Sequence, residues 1–86
     1  MHELEKQLKA LANRRRLGIL KSLKSKKRQC VGEIAVAIKL SFKSTSKHLG
    51  ILYAAGILEK EQTNLTVSYS LVAKPSPIAQ KLLSIL

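Results

Sequence analysis

EIAVAIKLSFKSTSKHLGILYAAG, residues 33–56, is the stretch that decides the fold. It reads as two short helices joined by a tight turn. Ser41 is placed to cap the second helix by accepting a bond from a backbone N–H of its first turn. Behind that cap, Thr45, Leu49 and Leu52 recur at spacings of four and three, so they share one face. Lys43, Ser46, Lys47 and Gly50 fall on the other side. Gly56 follows Ala54-Ala55, where a left-handed residue closes a helix. In the shorter helix, Ile34, Ala35 and Ile38 form the inner face. A helix held by an apolar back, with small polar and cationic groups in front, has the form to enter a DNA major groove.

Upstream, residues 2–12 are expected to form a first helix, with Leu4, Leu8 and Leu11 as a thin apolar stripe. That stripe is explained by packing on the domain or on a second copy of it. Asn13 is a good cap for the next helix, which runs to about Leu23 with Leu17, Ile19 and Leu20 inward. Arg14, Arg15 and Arg16 crowd its first turn, where the helix dipole disfavours cations. For Arg14 and Arg15 two readings stand, contact with phosphates or with acids on a neighbouring helix, and solvated stems lying on apolar surface. Arg16 is expected in a structural ion pair. Residues 24–29, KSKKRQ, form a basic loop, read first as an exposed connector, with a supplementary phosphate contact as the alternative. Cys30 and Glu33 have the spacing of a capping box. Cys30 is read mainly as a small packing residue rather than as a sensor.

Downstream of Gly56 the period changes from helical to alternating. Residues 58–62 and 66–71 are β-prone, with Val67, Tyr69 and Leu71 on one face. Asn64, between them, suits a left-handed turn position. This β-hairpin, following directly on a helix-turn-helix, is a wing. Pro75 and Pro77 interrupt the chain, and Ser76 with Pro77 starts a last helix over 77–86. Ile78, Leu82 and Ile85 lie along one side of it, with Leu83 and Leu86 beside them. That much apolar surface favours an interface between two copies, shared with the first helix.

Composition bounds the function. Eighty-six residues make one domain, taken as 1–86, with a small aliphatic core; aromatic residues are 3%. Sixteen Lys and Arg against five acids give a net charge of +11. That field attracts a polyanion and exceeds what solubility needs. The single cysteine excludes an intrachain disulfide and fits a reducing cytoplasm. No apolar run approaches the ~20 residues of a membrane span, and the charged N-terminus does not read as a signal peptide. The chain has no Asp, no phosphate-cradling glycine loop and no nucleophile–base pair, so an enzyme is not expected. Stacking aromatics are too few to favour RNA.

Three segments carry a family resemblance. LKALANRRRLGILKSL (8–23), VGEIAVAIKLSFKSTSKHLGILYAAGILEKE (31–61) and VSYSL (67–71) resemble, in order, the second helix, the helix-turn-helix and the wing strand of ArsR-type winged helix-turn-helix repressors. The resemblance implies a mainly α fold of about five helices and a two-stranded wing. It implies a homodimeric, double-stranded-DNA-binding transcription regulator, joined through residues 2–12 and 77–86 and acting as a repressor. The family's groove-facing positions fall on Phe42, Lys43, Ser44, Ser46 and Lys47, beside the Ser41 cap, with the wing tip near Asn64. His48 matches a family histidine, for which a phosphate contact and a half-buried structural role both stand. Phe42 occupies a usually polar position, where it packs on the turn or touches a thymine methyl. Many members hold soft metals through Cys-x-Cys at the third helix, or zinc through the last helix. Here Cys30-Val31-Gly32 lacks the second thiolate, and residues 76–86 offer no His, Asp or Glu, so no metal and no cofactor are expected. The rival reading is a winged-helix docking module for an acidic protein partner.

Overall fold

A computed structural model describes residues 1–86. The order is α1 (His2–Leu11), α2 (Arg14–Ser25), β1 (Gln29–Cys30), α3 (Val31–Ile38), α4 (Phe42–Ala54), β2 (Leu58–Thr63), β3 (Thr66–Leu71) and α5 (Pro77–Ile85). Helices α2, α3 and α4 pack mutually into a three-helix core, the sheet closes one side, and α1 and α5 lie together against it.

Short polar side chains set the helix starts. Asn13 Oδ1 accepts from the backbone N–H groups of Arg15 and Arg16, at 2.9 and 3.1 Å. Ser76 Oγ accepts from the Ala79 N–H at 3.3 Å, with Pro77 at the first helical position. The Glu33 carboxylate accepts from the Cys30 N–H at 3.0 Å, as the spacing predicts. A 2.8 Å bond from Lys26, then that backbone N–H, holds the Glu33 carboxyl down to about 2. At the end of α4, the N–H of Gly56 donates to Tyr53 and that of Ile57 to Leu52. This left-handed closure needs φ +78° at Gly56, which glycine adopts without strain. It turns the chain directly into β2.

Once those starts are fixed, one aliphatic face per helix meets in the middle. Ile19, Leu20 and Leu23 of α2, Ile34 of α3 and Leu49 and Leu52 of α4 are fully buried. Each such side chain contributes about 1.5–3 kcal/mol by leaving water. Tyr69 is buried from β3, and Val67 and Leu71, on either side of it along the strand, pack partly buried against the core.

The two-stranded wing is present as expected, and a short β1 adds to it, giving a three-stranded antiparallel sheet of order β1-β3-β2 in which Gln29 faces Tyr69 and Cys30 faces Ser68. One expectation is corrected: residues 24–29 are not simply an exposed connector. Lys24 lies in α2 and its ammonium donates to the Leu83 and Leu86 carbonyls, satisfying the end of α5. Gln29 is buried, and its amide donates to the carbonyls of Ser22 and Lys26 and to the Ser22 hydroxyl, closing α2.

Thr45 is the one mismatch on the buried face of α4. Its side chain is fully buried and its hydroxyl has no hydrogen-bond partner. A buried, unpaired hydroxyl costs on the order of 1–3 kcal/mol. Thr45→Val keeps the shape and removes that cost. The variant is expected to be more stable by about 1 kcal/mol, read from the midpoint of a urea unfolding curve at unchanged slope.

Candidate nucleic-acid interface

Helix α4 is anchored at both ends. Lys39 closes α3 in the left-handed region, at φ 56° and ψ 51°, and so sets the tight turn into α4. Ser41 Oγ then accepts from the Ser44 N–H at 3.1 Å. At the far end, the Gln7 amide of α1 donates to the Ala55 carbonyl at 3.1 Å, and Gln7 Oε1 accepts from the Ser76 hydroxyl. One side chain thus joins α1, the end of α4 and the start of α5. With Thr45, Leu49 and Leu52 buried, the opposite face is fixed outward.

Phe42, Lys43, Ser46 and Lys47 are all exposed on that face. Ser44 is half-buried behind the cap, and Ser41 spends its oxygen on the cap itself. Phe42 is 62% exposed rather than folded down. It edges a groove of about 460 Å³ running past Ser46 to Val67 and Leu65 of the hairpin. Asn64 takes φ +54° at the hairpin tip, as expected, and is exposed. Its neighbour Leu65 is 99% exposed. Nothing in alternation flags a tip residue, because it belongs to neither strand.

Charge is distributed unevenly around this face. Three acids are engaged elsewhere, in Glu5–Lys9, Glu33–Lys26 and Glu61–Arg28 pairs. Neither Lys43 nor Lys47 has a carboxylate within ion-pairing distance. The hairpin is different. Glu61 holds Arg28, and Lys60 lies over the Tyr53 ring at 4.3 Å, a cation–π position. The hairpin therefore carries no uncommitted cation, and its tip presents an amide and an aliphatic side chain.

Arg16 does not form the ion pair expected of it. No carboxylate is near. Its guanidinium donates to the Ala10 carbonyl at 2.5 Å and the Lys9 carbonyl at 3.3 Å, closing α1, and to His48 Nδ1 at 3.1 Å. The carbonyls at the end of a helix carry partial negative charge, which suffices for a guanidinium. His48 is half-buried and accepts through Nδ1, so its ring is neutral with the proton on Nε2. Burial, then the Arg16, Arg15 and Lys47 charges, lowers its pKa below the ordinary 6.5. In the unfolded chain the ring regains that ordinary value and binds a proton first. Stability is therefore full above about pH 6.5 and falls as pH drops toward the depressed folded value. Thermal melts should lose midpoint over that interval, and His48→Gln, which keeps an acceptor for Arg16, should flatten the loss.

No three His, Cys, Asp or Glu side chains come together as a metal ligand set. No helix is long and apolar enough to cross a membrane.

Comparison with known proteins fits this geometry. No curated protein sequence matches the chain significantly. Among solved structures, reduced HlyU from Vibrio cholerae is 32% identical, with a TM-score of 0.81 over 99% of this chain and 85% of that one. NolR from Sinorhizobium fredii is 32% identical, with a TM-score of 0.82 over 98% and 80%. A homodimeric winged helix-turn-helix DNA-binding domain from Mycobacterium bovis, described as a possible ArsR-family transcriptional regulator, is 26% identical, with a TM-score of 0.81 over 98% and 74%. The model of the arsR family of bacterial regulatory proteins matches residues 13–60, from the cap of α2 through the helix-turn-helix into β2. This chain is a winged helix-turn-helix protein of the ArsR family.

Proposed function

We propose that this protein is a homodimeric transcriptional repressor that binds a specific, pseudo-palindromic DNA duplex. Helix α4 enters the major groove, where Lys43, Ser46 and Lys47 meet base edges and phosphates, with Phe42 against a thymine methyl. The observation that carries this reading is the division of α4: an entirely buried back and an exposed front whose two lysines have no internal partner. The DNA-binding relative from Mycobacterium bovis supports it. Asn64 and Leu65 bring the hairpin tip against the flanking groove through polar and apolar contact. His48 orients α4 through Arg16 rather than touching DNA itself.

The second copy packs on α1 and α5. Leu8, Leu11, Ile78, Leu82 and Ile85 line an open apolar groove of about 340 Å³ between those helices. A twofold pair then sets two α4 helices in successive major grooves, about 34 Å apart. Repression follows from occupying a promoter.

The test is a fluorescence titration with the protein's own upstream DNA and with a scrambled duplex, over a range of salt. Tighter binding to the upstream duplex is expected, with a log–log salt slope of about −0.9 for each phosphate contact. Equal affinity for the two duplexes rejects sequence-specific regulation, and insensitivity to salt rejects nucleic acid.

A further inference from the structure

A cleft of about 510 Å³ lies between α2 and the end of α3, on the side away from their shared core. Arg14, Arg15 and Lys21 line it from α2, and Ser25 adds a hydroxyl. Arg14, Gly18, Lys21 and Ser25 recur at spacings of four, three and four, so they form one stripe along the helix. Gly18 keeps the middle of the stripe low, where a Cβ would rest 3.6 Å from Ile38 Cγ2, in ordinary contact with α3.

No carboxylate lines this cleft, and none of its three cations is in an ion pair. Two of them stand in the first turn of α2, where the helix dipole already disfavours positive charge. Nothing in the fold offsets that cost. Arg16, next in sequence, shows the contrast, since its guanidinium is fully used inside the protein. Three unmatched cations converging on one concavity attract an anion with several oxygens.

We propose that the α2–α3 cleft is a phosphate-binding site, separate from the front of α4. Arg14 and Lys21 hold the phosphate oxygens from either end of the cleft, and Arg15 adds charge at its mouth. The phosphate comes either from a small phosphorylated compound or from the DNA backbone beyond the α4 contact. The site does not depend on α4 binding DNA.

The experiment titrates the full chain, isotope-labelled, with inorganic pyrophosphate and follows the backbone amide resonances. Saturable shifts are expected around Arg14–Gly18 and Ile38. Arg14→Gln with Lys21→Gln should weaken binding about tenfold or more, as two charge-assisted bonds are lost. Gly18→Leu leaves every charge in place but fills the cleft, and it should remove binding as well. Lys43→Glu with Lys47→Glu should leave it unchanged, so this site and the proposed function can fail separately. A duplex then identifies the source. If the backbone supplies the phosphate, duplex displaces pyrophosphate and the Arg14/Lys21 variant loses about 0.9 of salt slope per contact. If a free compound supplies it, the pyrophosphate shifts persist on the complex and the slope holds. Absence of saturable shifts at the cleft, or undiminished binding by a folded Gly18→Leu protein, overturns the proposal, because only diffuse attraction would remain.

Discussion

Exchanging Lys43 and Lys47 together for glutamate is expected to abolish specific duplex binding and leave the fold intact. Both side chains are exposed and take part in no internal ion pair or hydrogen bond, so the folded state loses nothing when they change. Exposed substitutions of this kind usually move stability by less than about 0.5 kcal/mol. DNA affinity responds differently. A groove contact to a base edge contributes about 1–3 kcal/mol, and reversal adds repulsion from the phosphates. Two such losses correspond to roughly 30-fold to 10⁴-fold weaker binding, and the salt slope should flatten as two cations vanish. Fluorescence titration at fixed salt, beside a thermal melt, measures both effects. A docking module for an acidic partner predicts another pattern. Its binding would use cations away from α4, such as the exposed Arg14 and Arg15, and would survive the double exchange.

The elements that frame α4 were legible because each has a local cause. Asn13, Ser41 and Ser76 act as caps through their own side-chain oxygens, and Gly56 turns left-handed because it lacks a Cβ. The spacing of Thr45, Leu49 and Leu52 is enough to name the buried face. What escaped the sequence depends on partners distant in the chain. β1 is two residues long, too short for any period, and exists only because β3 pairs with it. Lys39 turns left-handed without glycine or asparagine to signal it, held by its own N–H bond to Val36 and the Leu40 N–H bond to Ala35. Arg16 meets carbonyls and an imidazole 32 positions away, where residue type alone suggests a carboxylate. Gln7 reaches 48 positions to the end of α4. In each case tertiary structure chose between partners that the side chain accepts equally well.

Leu8→Glu with Ile85→Glu is expected to separate the proposed dimer, and to remove with it most of the affinity for a paired operator. The lone chain leaves apolar surface uncovered along α1 and α5, with Leu8 46% and Ile85 77% exposed on one groove. Only Ala79 of α5 is buried, while Leu82, Leu83 and Leu86 pack partly against the core. The two exchanged positions therefore do little for the monomer's own interior. In a twofold interface each carboxylate appears twice, so four negative charges would be buried without partners, at a cost that association does not meet. Mass in solution, by light scattering, should fall from two chains to one. Linking two half-site contacts raises affinity by about 10² to 10⁴-fold over one, and that factor is what the variant loses. Its binding to a single half-site should stay the same, because α4 still rests on Leu49 and Leu52 and keeps its cap at Ser41. A variant that remains dimeric would move the interface off these helices. One that is monomeric but binds the full operator undiminished would show that two copies are not needed for recognition.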